Sequence, residues 1–177
     1  GFGNLNGDGF GIGWYTSDEL RSSDPTPCMY KSITPAWNNE NLARLSCKIM
    51  SPLVFAHVRA AYPGMPVSEQ NCHPFQWGRY LWMHNGVVGG FSKIKRRLLE
   101  QLSDAAYNSI QSFHSDSAVS FAVFLNHLPD LVQPLSPDVL VNAMQVRQHC
   151  AVSFIQPAFK PCLAHAAHAV DKQRVTQ

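Results

Sequence analysis

The sequence predicts a single α+β domain, because strand-like segments dominate its first half and helix-like segments its second half. A length of 177 residues is typical of one domain with one hydrophobic core. A composition of 45% hydrophobic and 15% charged residues is typical of a folded globular protein. No internal repeat and no linker-like segment divides the chain.

Three segments of the first half are predicted to form strands. Gly7–Tyr15 is a glycine-rich turn that leads into a short apolar strand, and Gly78–His84 is a strand that ends at the turn Asn85–Gly86. Leu53–Arg59 is rich in β-branched and aromatic residues. Because side chains alternate across a strand, one of its faces should carry Phe55, His57 and Arg59.

Four segments have the apolar spacing or start signals of helices. Apolar residues recur at helical spacing in Glu40–Met50 and in Phe91–Leu102. A third helix should begin at Ser115 or Asp116 and run to Leu128, and a fourth should begin at Ser136. The stretch 146–177 shows no sustained period and receives no element.

Charge and composition exclude several classes of partner. A formal net charge of +2 is too balanced to indicate nucleic acid as a partner. No apolar run reaches the ~18 residues that a membrane span needs, and no signal peptide opens the chain. Five cysteines without a C-x-x-C pair favour a reducing compartment, and we therefore expect a cytoplasmic protein.

Four features between residues 59 and 116 indicate a site for a small polar substrate. Arg59 ends an apolar strand, so it either forms a structural salt bridge or clamps a carboxylate of a ligand. Asn85–Gly86 is either a plain turn or a pair of amide donors for an oxyanion. Asp116 either caps its helix or accepts an ammonium group. His73 lies between them in sequence, as a side chain that hydrogen-bonds around a pocket.

Three other site chemistries are weaker. The alternating glycines 7, 9, 11 and 13 lack the preceding strand of a dinucleotide fingerprint. A calcium loop from residue 4 would need a glutamate where Tyr15 stands. His57, His73 and His84 could be metal ligands, but no two of them are spaced i, i+4 on a helix. We therefore expect neither a metal nor another cofactor.

Six motifs resemble those of the class II glutamine amidotransferase domain, which has the N-terminal-nucleophile hydrolase fold. They are N-G-D-G-F-G-I-G-W-Y, P-A-W-N-N-E-N-L, F-A-H-V-R-A-A, V-S-E-Q-N-C-H-P-F, W-M-H-N-G and S-D-S. The first two motifs and the tryptophan of W-M-H-N-G are similar to one branch, which contains the bacterial YafJ-like proteins and the fungal glutathione-degrading amidotransferase-like subunit. The resemblance covers about Asn6 to Leu128.

The resemblance implies an αββα four-layer sandwich, here incomplete at both ends, and a role for each site residue. Arg59 would bind the α-carboxylate of the substrate and Asp116 its α-ammonium group. Asn85 and Gly86 would form the oxyanion hole, and His73 would line the pocket. The nucleophile of the family is an amino-terminal cysteine, whose own α-amino group serves as the base.

The chain departs from the family pattern at its amino end, which reads Gly1-Phe2-Gly3. All five cysteines are internal, so we expect the chain as given to be an inactive fragment. We expect residues 1–145 to be a partial amidotransferase domain and residues 146–177 to be an unassigned, non-native tail.

The leading functional hypothesis is a hydrolase of γ-glutamyl amides, acting on glutamine, or on glutathione with a partner peptidase or acceptor-domain subunit. The alternative hypothesis is a non-catalytic subunit that binds γ-glutamyl compounds or amino acids, or serves as a scaffold. A third and weaker interpretation is a metalloprotein built on the three histidines.

Overall fold

The computed structural model describes residues 6–16, 24–61 and 64–153, with side chains described as far as residue 145. Its strands are β1 (Phe10–Trp14), β2 (Cys28–Ser32), β3 (Val54–Val58), β4 (Phe75–Trp77) and β5 (Tyr80–Trp82). Its helices are α1 (Glu40–Ser46), α2 (Phe91–Glu100), α3 (Asp104–Asn108), α4 (Asp116–Asn126) and α5 (Pro137–Ser153). Two 3-10 turns, Ala36–Asn38 and Glu69–Asn71, complete the described elements. The mixed α and β content confirms the predicted class.

The strands form two antiparallel sheets. The larger sheet has the order β2-β1-β3, and Gly11 of β1 lies opposite Lys31 of β2 and His57 of β3. β4 and β5 form a hairpin in which Phe75 lies opposite Trp82. Within the described part of the chain, β3 is therefore an edge strand of the larger sheet.

The two sheets approach each other closely at the glycines of β1. A side chain at Gly11 would overlap the carbonyl oxygen of His73. A Cβ atom at Gly13 would lie 2.8 Å from a methyl carbon of Leu81 in β5 and 2.9 Å from the Pro74 ring. Gly11 and Gly13 are thus required by this packing, because only a residue without a Cβ atom permits so close an approach.

Two apolar clusters meet at α4, one shared with the hairpin and the other with α2. Trp82 of β5 stacks on Phe121 of α4, with ring centroids 5.8 Å apart, and Phe75 packs in the same cluster. On another side of α4, Val119 and Val123 pack against Ile94 and Leu98 of α2. The larger sheet, the hairpin and α4 therefore form successive layers, and α4 lies at the centre of the core.

The helices differ from the predicted ones at their ends. α1 stops at Ser46 rather than Met50, where the N–H groups of Lys48 and Ile49 both bond to the carbonyl of Leu45 in a closing turn. α5 extends to Ser153, into the stretch from residue 146 that received no element. Residues 154–177 of that stretch lie outside the described residues. No described helix is long and apolar enough to cross a membrane.

The alternation predicted for β3 is present. Its Val54, Ala56 and Val58 side chains are exposed, whereas Phe55 and His57 are partly covered and Arg59, directly after the strand, is buried. The strand thus directs its polar side chains toward the hairpin and the start of α4. This orientation positions the candidate site.

Candidate active site

A cavity of about 710 Å³ opens between β3, the loop that follows β5 and the first residues of α4. All five residues predicted to form the site line this cavity: Arg59, His73, Asn85, Gly86 and Asp116. They come from segments 57 positions apart in sequence, so the fold brings them together. His57, His84 and Ser117 also line the cavity.

Arg59 is a buried cation whose hydrogen bonds go to backbone carbonyls. The residue is 5% exposed, and its guanidinium group donates to the carbonyl oxygens of Asp8, at 3.4 Å, and Pro66, at 3.1 Å. No carboxylate within the described ranges forms an ion pair with it. The described residues therefore do not support the structural salt bridge, and a buried charge of this kind would be further stabilised by an anionic group in the cavity.

The segment around Arg59 is fixed by Asp8, a residue that sequence reasoning treated only as part of a turn. The backbone N–H of Asp8 donates to the carbonyl of Arg59 at 3.2 Å, and the Asp8 carboxylate accepts the N–H of Ala61 at 2.8 Å. These two bonds flank the arginine and hold its backbone in place.

Asp116 is not the cap of its helix. Ser115 is the N-cap of α4, and its hydroxyl oxygen accepts the N–H of Ala118 at 3.3 Å. The Asp116 carboxylate instead accepts the N–H groups of Val88, at 2.7 Å, and Ser117, at 2.8 Å. It has no cationic partner in the described part of the chain. Asp116 is thus a carboxylate held by backbone donors at the edge of the cavity.

The Asn85–Gly86 turn follows β5 and is exposed at the cavity. Gly86 has a φ of 136°, which side-chain-bearing residues rarely adopt. A Cβ atom there would meet its nearest neighbour, His84 Nε2, at an ordinary distance of 3.6 Å. Backbone conformation rather than lack of space therefore requires the glycine.

His73 is a buried, neutral imidazole in the floor of the site. Its ring centroid lies 4.3 Å from that of His57 and 4.7 Å from that of Phe75. Burial, followed by the nearby His57, His84, Lys31 and Arg59, lowers the pKa of His73 from 6.5 to about 3. Neither ring nitrogen of His73 has a hydrogen-bond partner. Buried polar atoms of this kind are usually satisfied by the protein or by ordered water, and both nitrogens are available to hydrogen-bond.

The other chemistries considered from sequence have little support in the described residues. These residues contain no group of three histidine, cysteine or acidic side chains arranged to hold a metal ion. Cys72 is fully buried, and its sulfur lies 3.7 Å and 3.6 Å from the carbonyl oxygens of Ser32 and Ser68. Burial raises the pKa of the Cys72 thiol. No cysteine of the described residues lines the cavity.

Residues 1–152 match the family of class-II glutamine amidotransferases, and the chain belongs to this family. The resemblance drawn from the six motifs is therefore confirmed.

Similar proteins agree with this membership. Over 127 residues the chain is 50% identical to "Probable glutamine amidotransferase DUG3" of Saccharomyces cerevisiae, a match covering 72% of this chain and 35% of the relative. Over 86 residues it is 31% identical to "Gamma-glutamyl-hercynylcysteine sulfoxide hydrolase" of Mycobacterium tuberculosis, covering 49% of this chain and 34% of the relative. The chain thus matches about a third of the length of these curated relatives.

A solved structure supports the fold. The class-II glutamine aminotransferase domain protein of Silicibacter pomeroyi superposes with a TM-score of 0.56 and 30% identity. The match covers 78% of this chain and 55% of that protein.

Proposed function

We propose that this chain contributes the substrate site of a hydrolase that cleaves γ-glutamyl amides, with glutamine or glutathione as substrate. The observation that carries the proposal is a pair of opposite charges on one cavity. Arg59 is a buried cation and Asp116 a carboxylate, and neither forms an ion pair with a described residue. An α-amino acid carries the complementary pair, so its carboxylate would bind Arg59 and its ammonium group Asp116.

In the proposed reaction, the family's amino-terminal cysteine acts together with Asn85, Gly86 and His73 of this chain. An amino-terminal cysteine, as the family uses, would attack the γ-carbonyl carbon after its α-amino group takes the thiol proton. The side-chain amide of Asn85 and the N–H of Gly86 would donate to the oxygen that gains negative charge. The carbon–nitrogen bond then breaks, the amine leaves with a proton, and water hydrolyses the thioester. His73, which is neutral, would hydrogen-bond the substrate without adding charge.

Two features favour a substrate larger than glutamine. A cavity of about 710 Å³ is within the usual range for sites that hold drug-sized ligands. One relative is named as a hydrolase of a γ-glutamyl conjugate. A γ-glutamyl peptide would place its glutamyl end between Arg59 and Asp116 and its peptide end in the rest of the cavity. For glutathione, we propose that a partner peptidase or acceptor-domain subunit completes the degradation.

Hydrolysis is tested in the protein expressed from the gene extended upstream, with a cysteine at its amino terminus. We expect it to release glutamate from glutamine or glutathione, and we expect its Cys→Ala variant and the 177-residue chain to release none. Release of glutamate by the 177-residue chain at the same rate would contradict the proposed nucleophile.

Binding is tested separately, by calorimetry with L-glutamate. Loss of a charge-assisted contact costs about 1.5–3 kcal/mol, so Arg59→Gln and Asp116→Asn should each weaken binding by roughly 10- to 100-fold. Arg96→Gln is the matched control for the arginine, because Arg96 is exposed and pairs with Glu100 on α2. Asp130→Asn is the control for the aspartate, since Asp130 also accepts two backbone N–H groups but is exposed.

The second candidate is a non-catalytic subunit that binds amino acids or γ-glutamyl compounds. It is favoured by one observation: the cavity carries no cysteine among the described residues. Unchanged glutamate binding without hydrolysis, in a protein that has its natural amino end, would establish this candidate over the hydrolase. Stoichiometric metal in the purified protein would instead favour the metalloprotein interpretation.

We also propose the four-layer αββα sandwich and a cytoplasmic location. The larger sheet, the hairpin and α4 supply three successive layers that such a sandwich would contain. Cys28, Cys47 and Cys72 are free thiols, which is consistent with a reducing compartment.

A further inference from the structure

The loop that carries Asn85 and Gly86 is bonded to the start of α4 on both sides of the turn. Before the turn, His84 Nδ1 lies 2.8 Å from the hydroxyl oxygen of Ser117. After the turn, the N–H of Val88 donates to the Asp116 carboxylate at 2.7 Å. The two proposed oxyanion donors therefore lie between two anchors, and both anchors are on the first two residues of one helix.

The Ser117 hydroxyl can be a donor in one of its two hydrogen bonds and an acceptor in the other. A serine hydroxyl has one proton, and that of Ser117 is donated to Asp116 Oδ1 at 3.3 Å. With that proton on the Asp116 side, the hydroxyl oxygen is an acceptor toward His84, and we infer that His84 carries a proton on Nδ1. The resulting chain runs from His84 through Ser117 to Asp116, and each donor in it meets an acceptor.

We propose that His84 and Ser117 are positioning residues, which hold the Asn85–Gly86 turn in register with Asp116. The inference rests on the proposed function, since it assumes that Asn85 and Gly86 stabilise an oxyanion while Asp116 binds the ammonium group of the same substrate. Through this connection, the residue that binds the ammonium group of the substrate also fixes the position of the two oxyanion donors.

The physical reason is the strict geometry of oxyanion stabilisation. Donors act when they lie about 2.7–3.1 Å from the developing oxyanion, and a misplacement of roughly 1 Å can cost about 100-fold in rate. Loss of the His84–Ser117 bond frees one side of the turn. Arg59 is unaffected, and Asp116 retains the N–H groups of Val88 and Ser117. The rate of reaction should therefore fall more than substrate binding.

The kinetic test uses the full-length protein and γ-glutamyl substrate. His84→Ala and Ser117→Ala should each lower kcat by roughly 10- to 100-fold, while KM changes by less than about threefold. The double variant should be no slower than either single one, because all three lose the same bond. Ser117→Thr and His84→Asn, which keep the hydroxyl and an N–H near Nδ1, should recover most of the rate.

Two controls lie outside the site. Ser120→Ala is on the same helix and His114→Ala is in the exposed segment before it; both should retain the wild-type kcat. Three results would each overturn the positioning role. The first is additive losses of kcat in the double variant, and the second is an unchanged kcat in Ser117→Ala. The third is a complete loss of turnover in Ser117→Ala that Ser117→Thr does not rescue.

A spectroscopic test stands apart from activity. In the ligand-free protein at neutral pH, long-range ¹H–¹⁵N spectra should identify His84 as the Nδ1-protonated tautomer, and Gly86 amide exchange should accelerate in Ser117→Ala. An Nε2-protonated His84 or unchanged Gly86 exchange would overturn the inference. Wild-type protein that neither hydrolyses γ-glutamyl compounds nor binds glutamate would instead remove the proposed function, and these spectra would still decide how the turn is held.

Discussion

The free energy of unfolding should fall when the pH is lowered from 7 to 5, and His73 should be the main cause. Burial and the neighbouring His57, His84, Lys31 and Arg59 lower the pKa of His73 from 6.5 to about 3 in the folded protein. Below pH 6.5 the unfolded chain therefore binds a proton at this residue and the folded protein does not. Proton binding to the unfolded chain therefore lowers the free energy of unfolding as the pH falls, until the pH reaches the pKa of His73 in the folded protein, about 3.

The size of the effect follows from the two pKa values. A single group with this shift changes the unfolding free energy by up to about 1.4 kcal/mol per pH unit. Between pH 7 and pH 5, where most of the interval lies below 6.5, the loss from His73 is about 2 kcal/mol. His57 has a pKa lowered by burial, by Arg59 and by His84, so its contribution has the same sign.

Urea unfolding followed by circular dichroism at pH 7, 6 and 5 measures the effect. This range avoids the pH near 4 at which ordinary carboxylates titrate. His73→Phe keeps an aromatic ring between His57 and Phe75 but cannot bind a proton, so its pH dependence should be weaker by about 2 kcal/mol. The exposed His114→Gln should behave as wild type. The same pH dependence in His73→Phe and in wild type would refute the reasoning.

Three further predictions concern packing, capping and thiol reactivity. Gly11→Ala should lower the free energy of unfolding by about 1–3 kcal/mol in urea titrations, because its Cβ atom would meet the backbone of His73. Gly13→Ala should cost less, because one of its contacts is a methyl group at the end of the Leu81 side chain. Equal losses in the two variants would contradict this explanation. Ser115→Ala should cost about 1 kcal/mol as a lost cap, and an unchanged unfolding midpoint would show that the cap contributes nothing. Iodoacetamide labelling followed by mass spectrometry should modify exposed Cys47 in the native protein and buried Cys72 only after unfolding, and equally fast labelling of both would contradict the burial.

Elements with a strong internal period were predictable from the sequence. β3 and α2 each have one covered face, and this produces the alternation and the helical spacing that indicated them. β2 and β4 were not predicted. β2 (Cys28–Ser32) has half-covered side chains throughout, and β4 (Phe75–Trp77) has only three residues, so each is defined by its partner strand rather than by its own pattern. α3 (Asp104–Asn108) was missed for the same reason of length.

The residues that line the cavity were predictable in type, whereas their hydrogen-bond partners were not. Motif order was enough to select Arg59, His73, Asn85, Gly86 and Asp116, which line one cavity. The bonds that hold them come from positions without a sequence signal. Asp8 lies 51 residues from Arg59, and His84 lies 33 residues from Ser117. Pairs at such separations have no common period, so only the folded chain identifies them.

Backbone hydrogen bonds also explain how Arg59 and Asp116 can lie at the cavity without a counterion among the described residues. Arg59 is solvated by backbone carbonyls and Asp116 by backbone N–H groups, and dipoles of this kind stabilise a charge without neutralising it. A salt bridge to another side chain would have satisfied each residue permanently and would have to break before a ligand could bind. The fold instead supplies partial compensation from the backbone, which is consistent with the proposed binding of a zwitterion. If Arg59 and Asp116 bind the substrate as proposed, a substitution that moves the loops around β3 and α4 should weaken binding even where both charged side chains are intact.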